Sequence, residues 1–213
     1  MANEPTAHYN VFAAQSLHRL AALSDGVFAI AMTLLVLDLH VPAGQLIHSE
    51  RDLSSELVHV LPSLVAYFMS FLTLGIMWVG QQTQLNFMGR SDRHFTWVHL
   101  AFLLTVTVMP FSTALLSSFI AYRTALVIYW LNIFLLGAWL YVGLRYARVN
   151  ELLHREVTSA MTSASFRRIV TAQALYAFGA LLCVISTYLS IAFIVLVQLN
   201  YAIAPNVPFL RRL

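Results

Sequence analysis

Six stretches of this sequence are apolar over the length of a membrane span, and they leave little chain for anything else. They fall at about residues 18–39, 57–80, 95–119, 122–146, 167–187 and 189–204. A bilayer core is crossed by about 20 mostly apolar residues in a helix, and it offers the backbone no water to bond with, so every stretch must satisfy its own peptide groups as a helix. The expectation is an all-α integral membrane protein with six transmembrane helices, forming a single domain over residues 1–213. The last division is the least marked: between Arg168 and Ala204 only Ser186-Thr-Tyr-Leu-Ser190 offers a turn. Five spans are the alternative, although one tilted helix would not absorb so many apolar residues. With 60% hydrophobic and 10% charged residues, a soluble globular domain is excluded.

The charged residues assign a direction. All 12 basic side chains are arginines. Arg19, Arg90, Arg93, Arg145, Arg148, Arg155, Arg167, Arg168, Arg211 and Arg212 fall on the N-terminal side of the first helix or on alternate loops, against Arg51 and Arg123 on the opposite loops. An excess of arginine marks the cytoplasmic side, so both termini are expected in the cytoplasm, with Glu50, Asp52 and Glu56 in the sizeable outer loop. The cell membrane is the expected location. The first residues lack a basic n-region and cleavage site, which predicts that the first helix is retained as a span and that the mature chain starts near Met1. Basic loops of this kind meet lipid headgroups, and nucleic acid is not an expected partner. Residues 147–166 are read as the longest cytoplasmic connection, with a short surface helix. The one cysteine, Cys183, offers no disulfide or Cys-based metal site. No duplicated half is evident, so a symmetric pathway would require several chains.

The first helix carries the most chemistry. Leu23-Ser-Asp-Gly-Val-Phe-Ala-Ile-Ala-Met-Thr-Leu-Leu35 places Asp25 just inside an apolar run, with Arg19 six residues upstream. A charge in a membrane helix costs up to about 2.5–3.5 kcal/mol at the bilayer centre, so it implies a partner or a function. Arg19 is not at the i+3 or i+4 offset that would bring it beside Asp25. Partners are therefore sought on other helices, and Gln81, Gln82 and His99 fall at the matching depth. Such a network would fix the tilt of the first helix, a role preferred here to direct ion coordination. Ile30, Leu34 and Leu37 share one stripe with Thr33 beside them. From spacing alone, packing on a neighbour or on lipid is the plainer reading of that stripe, and Ser24, Gly26, Ala29 and Ala31 permit close helix approach under either reading.

Asp38 and His40 mark the other end of this helix, as an interfacial terminus or, if several chains meet, as an outer mouth. His59, Asn132, Gln173 and Gln198 are expected to bond between helices. Pro110 in Val-Met-Pro-Phe-Ser-Thr113 should kink the third span, with Thr107, Ser112 or Thr113 taking up the freed carbonyl. Metalloprotease, hydrolase and nucleotide-binding signatures are all missing, so catalysis is not expected and no cofactor is implied. Also missing is Thr-Val-Gly-Tyr-Gly, the carbonyl filter of ordinary potassium channels.

Arg19-Leu-Ala-Ala-Leu-Ser-Asp25, followed by Gly-Val-Phe-Ala-Ile30, resembles the Arg-x-x-x-Phe-Ser-Asp motif of the transmembrane protein 175 family of endolysosomal and bacterial potassium channels. The likeness extends more loosely through Met32–Asp38 and Met109–Leu116, and the length is that of one bacterial-type repeat. The resemblance implies a homotetramer whose first helices line a central pore passing monovalent cations, potassium above all. Carried over by position, Ile30 forms the narrowest apolar ring, Leu34 and Leu37 the layers above it and Thr33 a hydroxyl layer, while Arg19, Ser24 and Asp25 belong to the network holding the helix. Gln82 and His99 join that network, and Asp38 the outer mouth, by their place along the spans and not by the resemblance. Two positions depart from the family pattern: Leu23 stands for the motif's Phe, and Trp78-Val-Gly-Gln-Gln82 stands where a His is frequent. A proton-coupled or small-solute transporter titrating Asp25 or His99, and a non-conducting membrane protein, are the competing readings.

Overall fold

The computed structural model describes residues 17–42, 44 and 47–203. The expectations for the start at Met1, for both termini, and for Arg211 and Arg212 lie outside the described residues. Seven α-helices make up the described chain: α1 Leu17–Leu34, α2 Glu50–Asn86, α3 Arg93–Thr107, α4 Met109–Ser118, α5 Arg123–Val149, α6 Ser159–Leu181 and α7 Thr187–Ile203. α1 tightens into a 3-10 turn over Leu35–Asp38, and α6 into another over Leu182–Val184. With these turns included, and with α3 and α4 taken together, five segments are long and apolar enough to cross a membrane. The sixth, Thr187–Ile203, has 17 residues and is shorter.

Two sequence expectations are revised. The connection at residues 147–166 holds no separate surface helix. α5 runs on to Val149 and α6 begins at Ser159, because Thr158 caps it by accepting from the Met161 N–H at 3.3 Å. The long outer loop is likewise shorter than expected. Glu50 and Asp52 sit in the first turn of α2, where carboxylates complement the helix dipole, with Ser49 as N-cap and Asp52 reaching back to the His48 N–H at 3.1 Å. At 37 residues, α2 is about 55 Å long, so it exceeds a bilayer core of about 30 Å.

α5 is the centre of the bundle, packed against α3, α4, α6 and α2, while α7 lies against α2 and α6, and α1 against α2 and α3. The core is built from Leu74, Phe102, Val106, Leu126, Ile133 and Ile194, all buried. A second, smaller cluster joins Leu20, Leu85, Phe95 and Ala147, which places the start of α1 and α3 and the end of α2 and α5 at one end of the bundle. The flanking loops are knitted there by Gly89 N–H to Leu152 O and His154 N–H to Phe87 O, both 2.9 Å. Arg123 donates to Val184 O at 2.9 Å at the opposite end, so the structure gathers Arg19, Arg90, Arg93, Arg145 and Arg148 on one side.

Pro110 does more than kink the third apolar segment. The helix stops at Thr107 and restarts at Met109, and the nearby hydroxyls bond elsewhere: Thr107 to Leu104 O, Ser112 and Thr113 to Met109 O. The break is bridged from α5. Asn132, with its amide turned so that each end meets a complementary group, donates to Thr105 O at 3.1 Å and accepts from Met109 N–H at 3.2 Å. These are the two groups an unbroken helix would have paired, four residues apart. Replacing Asn132 with Ala should cost roughly 1–3 kcal/mol, since the Met109 N–H is then left unpaired out of water while Thr105 O keeps only the Val108 N–H. A lowered thermal midpoint in detergent is the expected result, and an unchanged midpoint would refute the bridging role.

Candidate functional site

Among the described residues, α1 is buried against the other helices along one face. Leu20, Ser24, Phe28, Ala31 and Leu35 are buried, and Phe28 and Leu35 are 2% and 0% exposed. These positions recur every three or four residues, as one helix face does. The opposite face carries Arg19, Leu23, Gly26, Ile30, Leu34 and Leu37 at the same spacing, with Ile30 61% and Leu37 67% exposed. A Cβ added to Gly26 would meet nothing within 4 Å, so nothing among the described residues requires a glycine there.

The rotation of α1 is held by two sets of hydrogen bonds. Ser24 is fully buried, and its hydroxyl lies 2.8 Å from Leu20 O, 3.1 Å from Gln81 Nε2 and 2.7 Å from His99 Nε2. A hydroxyl has one proton and two acceptor sites. Given to Leu20 O, the proton leaves the oxygen to accept from Gln81 and from His99 as its Nε2–H tautomer, which fills every site. The His99 ring is positioned by Phe95 and Phe102 on its own helix, with centroids at 6.0 and 6.1 Å, and Phe102 in turn meets Phe28 of α1 at 5.9 Å.

Asp25 projects beside this set toward α2, where Trp78 Nε1 donates to its Oδ1 at 2.8 Å and Gln82 Nε2 to the same oxygen at 2.7 Å. Of the three partners expected for Asp25, only Gln82 reaches it, while Gln81 and His99 serve Ser24. Trp78 was not foreseen. Its four-residue offset from Gln82 places the two one above the other on α2, and an indole N–H has only donation to offer; that spacing was the available signal.

Farther along α1, Thr33 is exposed and its hydroxyl turns back to Ile30 O at 2.8 Å. Asp38 closes the 3-10 turn, and its carbonyl lies 3.0 Å from His40 Nδ1. Among the other polar residues expected to bond between helices, Gln173 donates to Ile133 O at 3.3 Å and Gln198 to Thr73 Oγ1 at 2.7 Å. His59 instead is exposed on α2 and makes no hydrogen bond among the described residues.

Both donors to Asp25 converge on one oxygen, so an asparagine can keep that acceptor. Asp25→Asn, which keeps a neutral acceptor for both donors, should lose less than Asp25→Ala, which removes the acceptor from two exposed hydrogen bonds at about 0.5–1.5 kcal/mol. Thermal midpoints of the two variants in detergent measure this. Equal losses would show that the charge, and not the acceptor, holds α1.

Comparison with known proteins bears on the same helix. Residues 19–110 match the family model for the endosomal/lysosomal potassium channel TMEM175. A potassium channel of Chamaesiphon minutus is 32% identical over 193 residues, covering 88% of this chain and 94% of that protein. One from Streptomyces collinus is 41% identical over 48% of each chain. The endosomal/lysosomal proton channel TMEM175 of Gallus gallus is 32% identical over 49% of this chain and 22% of that longer protein. The crystal structure of a lysosomal potassium-selective channel TMEM175 homolog from Chamaesiphon minutus superposes with a TM-score of 0.78 at 28% identity, covering 89% of this chain and 98% of that one. The chain is a multi-pass membrane protein and belongs to the TMEM175 family.

Proposed function

We propose that this protein is a potassium-permeable cation channel, passing ions passively through a pore that several copies of α1 enclose. The observation that carries the reading is the two-faced α1. One face is anchored through Ser24 and Asp25 to α2 and α3, and the other presents Ile30, Leu34 and Leu37 uncovered. A stripe exposed in one subunit is buried when copies close around an axis, and closed rotational symmetry supplies the pathway that one chain lacks. Relatives named as potassium channels, one aligned over 94% of its length, give the permeant ion.

In this reading the assembly is a homotetramer with six spans per subunit, α7 being the sixth. It sits in the cell membrane with both termini on the arginine-rich, cytoplasmic side. Ile30 forms the constriction, Leu34 and Leu37 the apolar layers, Thr33 the hydroxyl layer and Asp38 the outer mouth. An apolar ring without a carbonyl filter selects by dehydration and closes by dewetting. Arg19, Ser24, Asp25, Gln82 and His99 hold the pore helix and do not coordinate the ion. Potassium is the substrate, and no cofactor takes part.

Reconstitution in liposomes with an imposed potassium or sodium gradient tests this, with Ile30→Asn as the variant. Potassium flux that rises severalfold, or loses its preference over sodium, in the variant is the expected outcome, since an amide hydrates the neck. Flux indifferent to residue 30 would remove Ile30 from the pore. Saturable, solute-dependent flux abolished by Asp25→Asn would turn the reading to a transporter.

A further inference from the structure

A groove unrelated to α1 opens between α5 and α6 at the arginine-rich end of the bundle. It has a volume of about 460 Å³ and is lined by Tyr141, Arg145, Arg148, Val149, Ser163 and Phe166. Tyr141, Arg145 and Arg148 fall at i, i+4 and i+7 on one stripe of α5, facing Ser163 and Phe166 on α6. The floor is the Tyr141–Phe166 ring pair, in edge contact with centroids 5.0 Å apart at 63°.

The charge in this groove is unbalanced. Arg145 and Arg148 stand three residues apart, an offset at which like charges on a helix repel. Both are exposed, and among the described residues neither makes a hydrogen bond or an ion pair. Glu151 and Glu156 lie on the adjoining connection and pair with neither. Two guanidiniums one turn apart offer the forked donors that suit phosphate oxygens, and the Ser163 hydroxyl adds a third donor.

The surface below the rings separates a lipid from a free anion. Phe134, seven residues before Tyr141, and Val170, four after Phe166, continue the two stripes and are 41% and 55% exposed. The groove therefore has a cationic top and an aromatic floor, and exposed apolar side chains follow on the same helices toward the hydrocarbon depth, the order of parts along a phospholipid. Tyrosine and other aromatic rings sit favourably at headgroup level, and basic pockets between helices on the cytoplasmic side receive acidic headgroups.

We propose that this groove is a binding site for an anionic phospholipid, its phosphate held by Arg145 and Arg148 and one acyl chain running past Tyr141 and Phe166 toward Phe134 and Val170. The inference needs the membrane setting but not the pore assignment, so it stands or falls separately from the flux experiments.

Native mass spectrometry of the purified assembly, titrated with phosphatidylglycerol or phosphatidylcholine of the same acyl chains, tests it. The parent should retain phosphatidylglycerol in preference. R145Q and R148Q should each weaken that binding about fivefold, and the double variant roughly 25-fold, with phosphatidylcholine unaffected. The two single variants keep the test open if the double variant does not fold. R90Q/R93Q removes the same charge from the same end without touching the groove and should change little. An equal loss in that control would mean general surface attraction and overturn the site. So would phosphatidylglycerol binding undiminished in R145Q and R148Q, or inorganic phosphate binding as tightly as the lipid.

Discussion

A polar group within a bilayer has no water to fall back on, so where one finds a partner in this molecule it becomes a fixed point for the helix that carries it. The decisive instance is the pair of adjacent polar residues on α1. Ser24 points to Gln81 and His99, and Asp25 points to Trp78 and Gln82. One residue cannot be moved without breaking the other's bonds, because successive positions on a helix differ by about 100° in direction. Together they fix the rotation of α1 about its axis, and that rotation decides which side of α1 the bundle covers and which side it leaves exposed.

The same constraint explains the unusual joints elsewhere. Asn132 of α5 fills the gap that Pro110 opens between α3 and α4. Gln84 of α2 and Gln173 of α6 reach the α5 backbone at Leu140 O and Ile133 O, and the space they use is provided by Gly143 and Gly137, where a Cβ would collide with the two side-chain amides. In the middle of the bundle the buried Tyr129 hydroxyl is met by Ser70 and Thr73, each at 3.3 Å, with Gln198 and Thr113 extending the chain to α7 and α4. Hydrogen bonds between membrane helices average only about 0.6 kcal/mol. Their value here is in register and rotation, which apolar contact alone leaves loosely set.

For conduction, this arrangement divides labour along α1. The end near Arg19 carries the polar anchor, and the part beyond Phe28 presents Ile30, Leu34 and Leu37. The hydrogen bonds of Ser24 and Asp25 set how α1 is held, and with it the direction in which the apolar stripe faces. Arg90, Arg93, Arg145 and Arg148 lie at the matching ends of the other helices, where charge stays hydrated and the groove between α5 and α6 lies.

Much of this was legible in the residues alone. The apolar stretches fixed the helices and their approximate bounds, since a bilayer admits little else. The arginine pattern separated the two ends, and an intramembrane Asp25 required partners at its own depth. The i, i+4, i+7 spacing of Ile30, Leu34 and Leu37 put them on one face, but it did not say whether that face met lipid, a neighbour or an axis. Residues in the loops were read less well: the start of α6 at Ser159 and of α2 at Glu50 depended on caps whose partners are local and easily confused with loop polarity. Periodicity defines the faces of each helix by itself, because it is a property of one helix's own geometry. The rotation and axial offset of one helix against the next come from packing across distant segments. Only the tertiary structure therefore decided that Trp78 joins Gln82 on Asp25, that His99 goes to Ser24, that Asn132 mends the break at Pro110, and that Ile30 stands uncovered.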